Sequence, residues 1–576
     1  SGATLTIEPG VTIQAISGSA KAAPALIVTQ GSKIDANGTA TNPIIFTSVL
    51  DTGSLTKEDK GKWGGLIILG NAPINSNTKG IADNTPLTNS IEGIPETSGI
   101  TSRAINPDYA KYGGTNAGDD SGILRYVSIR HGGAEIGAGN EINGLTLGGV
   151  GSGTTIEYID IYANKDDGIE FFGGTVNAKY LSVCYVGDDS FDFDEGYAGS
   201  LQYLFSVQDT SSNRAIEWDG STESDDLKAD SSTLPDYTDV KISNMTAIGA
   251  GKDATSTHED NNVGIEIRDN GAGQVWNSIF TEFAKSILDI EKTDSAKGTA
   301  STTASGSYGS QALLENDVLV FKGNIFWNGG KGNTAAGVAE DDTIASDIIF
   351  ATSNSNSFSV DPALIDDITA DGTVSPFPDY NTSNPSMSGA ATLADTSFLT
   401  QTTYRGAFAG NSASDNWMSG WTKLGEYQNV FSVSGTVSAL TSSTAGPGSI
   451  STSGDVISGG SLNGSVRITG TGTRNIMFRV KGPSMNTTAT KVANPQIQIL
   501  ELVSGAWNEI LTSTDYGTAY TVATGYTDVT STYASRHTGN NLEPMVVLQV
   551  GAGTYGAVVT GGTGRAIIEI YDVTDE

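Results

Sequence analysis

Between Asp166 and Gly220 the chain alternates acids with large apolar residues. Asp166-Asp167-Gly168-Ile169-Glu170-Phe171-Phe172 is followed by Asp188-Asp189-Ser190-Phe191-Asp192-Phe193-Asp194-Glu195, then by Asn213-Arg214-Ala215-Ile216-Glu217-Trp218-Asp219. Each run is a short strand by its period-2 pattern. From Glu170 to Asp192 is a step of 22, and from Asp192 to Glu217 a step of 25. Gly264-Ile265-Glu266-Ile267 and Leu288-Asp289-Ile290 repeat the pattern. Alternation inside a period of this length predicts a coil whose rungs stack on one another. Glu170, Asp192, Glu217, Glu266 and Asp289 then form one column of carboxylates, with neighbours about 4.8 Å apart, the spacing of paired strands. Phe171, Phe193 and Trp218 recur at one offset from the acids. Facing inward they make a core column; facing outward they would make a sugar-stacking surface, and the inward reading is favoured.

A second strand recurs as Val127-Ser128-Ile129, Ile159-Asp160-Ile161, Leu181-Ser182-Val183 and Phe205-Ser206-Val207. Asn244, Asn277 and Asn324 fall at what reads as one corner, either as stacked asparagines that bond along the coil axis or as ordinary turn asparagines. Residues 75–120, 221–237 and 293–315 are polar and rich in turn formers, and read as lateral loops. Regularity is lost over 340–400, and the coils are expected to end near 425. From about 430 longer alternating strands appear, among them 474–480, 496–502 and 565–571. With their Gly and Pro turns they predict an antiparallel β-sandwich. The expected domains are therefore 1–425 and 430–576.

The opening phrases are specific. Gly2-Ala3-Thr4-Leu5-Thr6-Ile7-Glu8-Pro9-Gly10, Asn42-Pro43-Ile44-Ile45-Phe46-Thr47-Ser48 and Trp63-Gly64-Gly65-Leu66-Ile67-Ile68-Leu69-Gly70 come in that order. Residues 119–133, the double-acid repeats, Tyr404-Arg405-Gly406-Ala407-Phe408 and Trp417-Met418-Ser419-Gly420-Trp421 follow. Over about residues 1–425 the chain resembles secreted right-handed parallel β-helix proteins of Gram-negative bacteria, most of which have no assigned activity. Gly482-Pro483-Ser484 and Asn494-Pro495 resemble a β-sandwich module at the ends of some secreted bacterial proteins. The resemblance implies an all-β chain, a right-handed parallel β-helix followed by an antiparallel sandwich. It also implies export to the cell surface or medium, in which case Ser1 is a processed terminus.

Composition narrows the picture. The 576 residues include 72 Gly but 16 Pro, and no long amphipathic helix is legible. A net charge of −34 argues against nucleic acid and anionic membranes, and favours cations or cationic partners. No apolar run is long enough to span a membrane. The single cysteine, Cys184, lies in an apolar run with no His or Lys beside it, and reads as a buried thiol.

Like charges stacked at strand spacing repel, so solvent or a cation must accommodate the column. Asp166, Asp167, Glu170, Asp188, Asp189, Asp192, Asp194 and Glu217 supply hard oxygen ligands from adjacent coils. A shell of 6–8 oxygens suits Ca²⁺. Neither an EF-hand loop nor the glycine-rich nonapeptide calcium repeat fits. Zinc is disfavoured, because His131, His258 and His537 lack partners at ligand spacing.

Two functions remain. The first is an extracellular structural protein that assembles with copies of itself through its coil ends and sandwich. The alternative is a protein that binds or cleaves polysaccharide. As a lyase it would pair calcium with Arg214 as base; as a glycosidase it would use clustered aspartates, with Asp167, Asp188 and Asp189 as candidate acid and base; Arg214 and Asp192 are the first residues to substitute in a cleavage screen. The spread of acids over many rungs favours the structural reading.

Overall fold

The computed structural model describes residues 2–16, 24–52, 55–75, 88–91, 109–135, 142–220, 238–255, 262–269, 271–291, 310–340, 342–362, 364, 386, 388–409, 417–418 and 420–426. It also describes the strands and turns between 449 and 572. The lateral segment 221–237, His258 and His537 lie outside the described residues. Two compact units are present, one spanning Ser1–Asn411 and Asp415–Glu426, the other mainly Tyr427–Glu576.

The first unit is a parallel β-helix. Its second sheet has eight parallel strands, stacked from Leu26–Val28 through Leu66–Leu69, Leu145–Gly148, Ile169–Phe172, Phe191–Asp194, Arg214–Asp219 and Val263–Arg268 to Leu288–Ile290. Its first sheet runs through Gly122–Arg130, Thr155–Tyr162, Ala178–Cys184, Ser200–Val207 and Asp239–Ile248, with further strands on either side. The alternation seen in the sequence decides which side chains enter the core. Phe171, Phe193 and Trp218 all point inward and are fully buried. They stack from coil to coil, with Phe171 and Phe193 centroids 5.3 Å apart.

The strands of the first sheet bend at a corner. Tyr126, Tyr158, Tyr180, Tyr203, Asn244, Asn277 and Gly323 occupy equivalent places, and every one has a positive φ, between 49° and 71°. A left-handed backbone at a non-glycine residue costs on the order of 1 kcal/mol or more. Ring stacking offsets it: Tyr126–Tyr158, Tyr158–Tyr180 and Tyr180–Tyr203 centroids are 4.2, 4.3 and 4.8 Å apart and nearly parallel. Asn244 and Asn277 do share this corner, but Asn324 does not; Gly323 takes the third place, and Asn324 accepts from Ser278 N instead. The asparagines do not form a ladder. Asn244 donates to Thr402 Oγ1, Tyr404 O and Gly406 O, and Asn277 exchanges two bonds with Ala391.

Those partners belong to a strap. Among the described residues the last strand paired along the coils is Ile325–Trp327, and Ser357 bridges to Ile325 in parallel beyond it. Two short helices, Ala335–Val338 and Thr343–Ile349, bury Val338 and Ile349 against the end of the core. The described residues from Ala391 to Lys423 then return toward the first coils. Thr400 meets Gln202, Ala407 N donates to Thr246, Trp417 packs edge-on to Tyr180, and Trp421 covers Tyr126 and Tyr158. Lys423 N donates to Asp160, which is fully buried and also accepts from Ser128 and Ser182.

The strap corrects one register. The sequence pattern places Phe205 opposite Leu181, but the structure pairs Leu181 with Leu204 and Ser182 with Phe205. Phe205 faces outward and is buried against Phe408 of the strap, while Ser206 is satisfied by Ser190 Oγ at 2.7 Å. Covering the outer face reverses the apolar-in rule at that strand.

The second unit holds two antiparallel sheets. One is ordered Ser449–Val456, Gly564–Asp572, Arg474–Lys481, Met545–Val550, Thr527–Asp528. The other is ordered Leu462–Ile468, Gly553–Thr560, Gln496–Val503, Ala506–Ser513. Phe478, Val546 and Ile570 of the first share a core with Ile497, Tyr555 and Val559 of the second.

Asn244→Ala leaves three strap oxygens without their donor, at a cost of about 1–3 kcal/mol. Amide hydrogen exchange over 400–408 should accelerate, with the Ile169–Phe172 and Phe191–Asp194 strands unchanged. Unaltered protection of the strap would show that Asn244 does not hold it.

Candidate functional site

The outer face of the second sheet carries the acids. Backbone register places Thr146, Glu170, Asp192, Glu217, Glu266 and Asp289 on successive strands at one position. The predicted carboxylate column is therefore real and contiguous. Toward the first coils the same position is Ile67, which with Leu69, Ile74, Ile91, Tyr112 and Phe172 forms an apolar cluster on this face. Tyr112 and Asn89, from the lateral segment, donate to Glu195 and border the acids.

A comparable position on the first sheet is filled differently. There Arg125, Glu157 and Lys179 follow one another, and Arg125 Nη2 lies 2.8 Å from Glu157 Oε2. Alternating charge is the ordinary solution to stacking charged residues at strand spacing. The acid column does not use it.

Two arginines divide the column. Arg214 Nη1 stands 3.5 Å from both Asp189 Oδ2 and Glu217 Oε2, and its Nε contacts Glu266. Arg268 grips Asp219 at 2.7 and 3.0 Å, contacts Glu217, and lies 3.6 Å from Glu266. Its place was legible as the next outward residue after Glu266. Among the described residues no ion pair joins Asp167, Asp192 or Asp194 to a lysine or arginine.

The electrostatic result is a set of carboxyls with raised pKa values. Burial is the main cause at Asp167, Asp189, Asp192 and Asp194, all held well above the usual range. Neighbouring acids add to it: Asp166, Asp192 and Asp188 at Asp167, then Glu170 and Glu217 at Asp192. Asp219 is pushed up to about 6 by burial, against the pull of Arg268.

Two groups of oxygens converge. Asp166, Asp167 and Asp188 each bring an atom within 4.8 Å of the others, and so do Asp167, Glu170 and Asp192. Asp167 belongs to both. Of the other sequence candidates, Asp189 and Glu217 face Arg214, and Asp194 lies in the next column beside Asp219. Asp167 and Asp189 also have a structural duty. Asp167 Oδ1 accepts from Asp189 N at 2.9 Å, and Asp189 Oδ1 from Arg214 N at 2.6 Å, tying each corner to the next.

The donor set suits a hard cation. All ligands are oxygens, and their separations match a shell with Ca²⁺–O distances of about 2.3–2.6 Å. Asp192 Oδ1 and Asn143 Oδ1 are buried with no hydrogen-bond partner. His131 is remote from such a role: Asp59 O takes its Nδ1, and burial lowers its pKa. Cys184 is fully buried, and burial raises its thiol pKa, which leaves it inert.

A family model described as a pectate-lyase-like β-helix domain matches residues 1–422. The chain belongs to that family. No curated protein and no solved structure matches it. A pectate-lyase-like β-helix is typical of proteins that bind or cleave polysaccharides. Within this pectate-lyase-like domain, the acid column and its two oxygen groups form the candidate site.

These carboxyls fix the sign of a pH effect. Their folded pKa values exceed the unfolded value of about 4, so the fold binds more protons than the open chain above that pH. Stability without divalent cations should therefore fall as pH rises from about 4 through 6 and beyond. Thermal unfolding in chelator at pH 4.5 and 7.5 tests this, and excess calcium should restore most of the loss at 7.5. A midpoint in chelator that rises with pH would refute the assignment.

Proposed function

We propose that the protein binds an acidic polysaccharide along the outer face of its second sheet, with calcium bridging carboxylates of the protein and of the polymer. One observation carries this reading. Asp167, Asp192 and Asp194 form no ion pair with a lysine or arginine among the described residues, in a fold that is typical of polysaccharide-binding or polysaccharide-cleaving proteins. A row of rungs at a regular spacing suits an extended polymer with a repeating charge. A divalent cation turns like-charged surfaces into complementary ones. Such polymers are met outside the cell, in keeping with the export that the resemblance implies.

Arg214, the sequence candidate for proton abstraction, is enclosed by Asp189, Glu217 and Glu266, and their charges raise its pKa. A guanidinium held in that way is a fixed counter-ion, which supports binding over elimination. The test is polyuronate binding by the full chain with calcium and with chelator, alongside assays for unsaturated and reducing-end products. Calcium-dependent binding without product is expected, with Asp192→Asn weakening it roughly tenfold or more. Product formation would move the reading to catalysis, and tight binding in chelator would remove the bridging cation.

Assembly of copies is a second reading, with its own observation. Leu5, Val11 and Ile16 are 42 %, 38 % and 70 % exposed on the first coil. Strands Thr4–Ile7 and Thr12–Ala15 each pair on one side among the described residues. Sedimentation velocity of the full chain beside Leu5→Lys/Ile16→Lys should show larger species for the parent alone. A parent that sediments as a monomer at all concentrations would end this reading.

A further inference from the structure

The corner of the first sheet holds chemistry that the acid face does not use. Tyr126, Tyr158, Tyr180 and Tyr203 stand on four successive strands at one register position, each with a positive φ. Later rungs fill the same place with Asn244, Asn277 and Gly323, residue types that take a left-handed backbone at less cost. The corner itself therefore does not call for an aromatic residue. Nor does packing call for a hydroxyl. Inside the coil Phe171 packs on Phe193, and in the strap Phe408 stacks on Trp417. Four phenols in a row go beyond both needs.

Their geometry suits a radical coupling. Tyr126 and Tyr158 centroids are 4.2 Å apart with planes at 10°, and Tyr158 and Tyr180 centroids are 4.3 Å apart at 5°. The ring planes are no farther apart than that, near the separation of about 3–3.5 Å at which reacting atoms are poised. In stacked rings the p orbitals of the carbons ortho to oxygen point at the neighbouring ring. A bond between two phenoxyl radicals forms along that direction. Tyr180 and Tyr203 are looser, at 4.8 Å and 18°. Tyr203 is buried, whereas the other three are half-buried. Trp421 and Trp417 make T-shaped contacts with the row and leave the stacked faces to the tyrosines. Burial, then the phenols of Tyr180 and Tyr126, raise the pKa of Tyr158, so it meets an oxidant as the neutral phenol.

We propose that the stacked tyrosines are a cross-linking site, at which one-electron oxidation joins Tyr158 to Tyr126 or to Tyr180 as dityrosine. The oxidant is a haem peroxidase with hydrogen peroxide, or another one-electron oxidant. Each of the two phenols loses one electron and its O–H proton. The two radicals couple through ring carbons ortho to oxygen. The hydrogen on each of those carbons then moves to oxygen and restores the aromatic rings. The pair loses two hydrogens in all, and one hydrogen peroxide takes them up as two waters. Tyr158 belongs to both close pairs. Tyr126 and Tyr180 stand two rungs apart, about 9.6 Å, too far to couple directly.

The bond spans a sequence step of 32 to Tyr126 or of 22 to Tyr180. Like a disulfide, it removes freedom from the unfolded chain. With one cysteine, the chain has no intrachain disulfide to do so. The site is independent of the acid face and of its polymer.

The test is limited oxidation of the dilute full chain by a haem peroxidase and hydrogen peroxide. Dityrosine fluorescence gives the yield, and mass spectrometry of proteolytic peptides gives the positions. The main product within one chain should be a linked pair, lighter by two hydrogens than its parts, that holds Tyr158 with Tyr126 or Tyr180. Thermal unfolding of the oxidised chain should shift upward. Tyr158→Phe keeps the ring and the stack, and should abolish both linked pairs. Tyr109→Phe removes a tyrosine that is 50 % exposed, and should leave the yield unchanged. Intrachain dityrosine that joins other tyrosines in place of Tyr158 would overturn the proposal, as would oxidation confined to Trp417 and Trp421. An unchanged yield in folded Tyr158→Phe would overturn it too. So would the absence of dityrosine under conditions that cross-link free tyrosine.

Discussion

Repulsion between carboxylates stacked at strand spacing is the constraint on which the functional face depends. Two unit charges about 4.8 Å apart repel by roughly 3–4 kcal/mol at an effective dielectric near 20. The column of Glu170, Asp192, Glu217, Glu266 and Asp289 repeats that contact from coil to coil. Hydrophobic stacking inside, through Phe171, Phe193 and Trp218, holds the strands in register against it. The same chain shows that it can avoid the conflict, since Arg125, Glu157 and Lys179 alternate on the first sheet. Acids kept in a row on this face are therefore not imposed by the fold, and the cost of keeping them points to a use.

The fold treats the two sheets in opposite ways. On the first sheet the left-handed corner is occupied by stacked tyrosines, and the strap seals it with Trp417, Trp421 and Phe408. Asn244, Asn277 and Asp160 supply polar anchors at intervals along the strap. Hydrogen bonds and aromatic contacts at one edge make the coils rigid without engaging the acid face. A rigid ladder is what a polymer site needs, because each rung keeps its spacing whatever binds to the next.

Much of this was legible before any coordinates. Short-range alternation shows which residues enter the core, and the steps of 22 and 25 set Glu170, Asp192 and Glu217 in line. Three features were not legible, each for a physical reason. Phe205 was placed one residue out of register, because the strap buries the outer face and makes outward Phe205 look like core. Asn324 was given a corner that belongs to Gly323, because asparagine and glycine satisfy the same positive φ and a one-residue shift is invisible in the pattern. The strap itself was read as fading coils, since a segment that packs across many rungs carries no period of its own. Within the site, Arg268 was within reach of the alternation rule, whereas Asn143 became visible only in the structure, where its Oδ1 is buried with no hydrogen-bond partner.

The two halves of the column differ in the permanence of their counter-ions. Arg214 and Arg268 are covalently part of the chain, so Glu217, Glu266 and Asp219 are compensated whenever the protein is folded. Asp167 and Asp192 form no ion pair with a lysine or arginine among the described residues, and protons or metal ions from solution are open to them as compensation. Protons neutralise a carboxylate but remove it as a bridge, whereas a divalent cation neutralises it and retains coordination positions for a second anion. On the proposed reading the lower half of the face changes its partner with pH and calcium, while the upper half holds a fixed reference charge. A repeating polyanion laid along the coils would meet both, with fixed arginine–carboxylate pairs at one end of its path and exchangeable cations at the other.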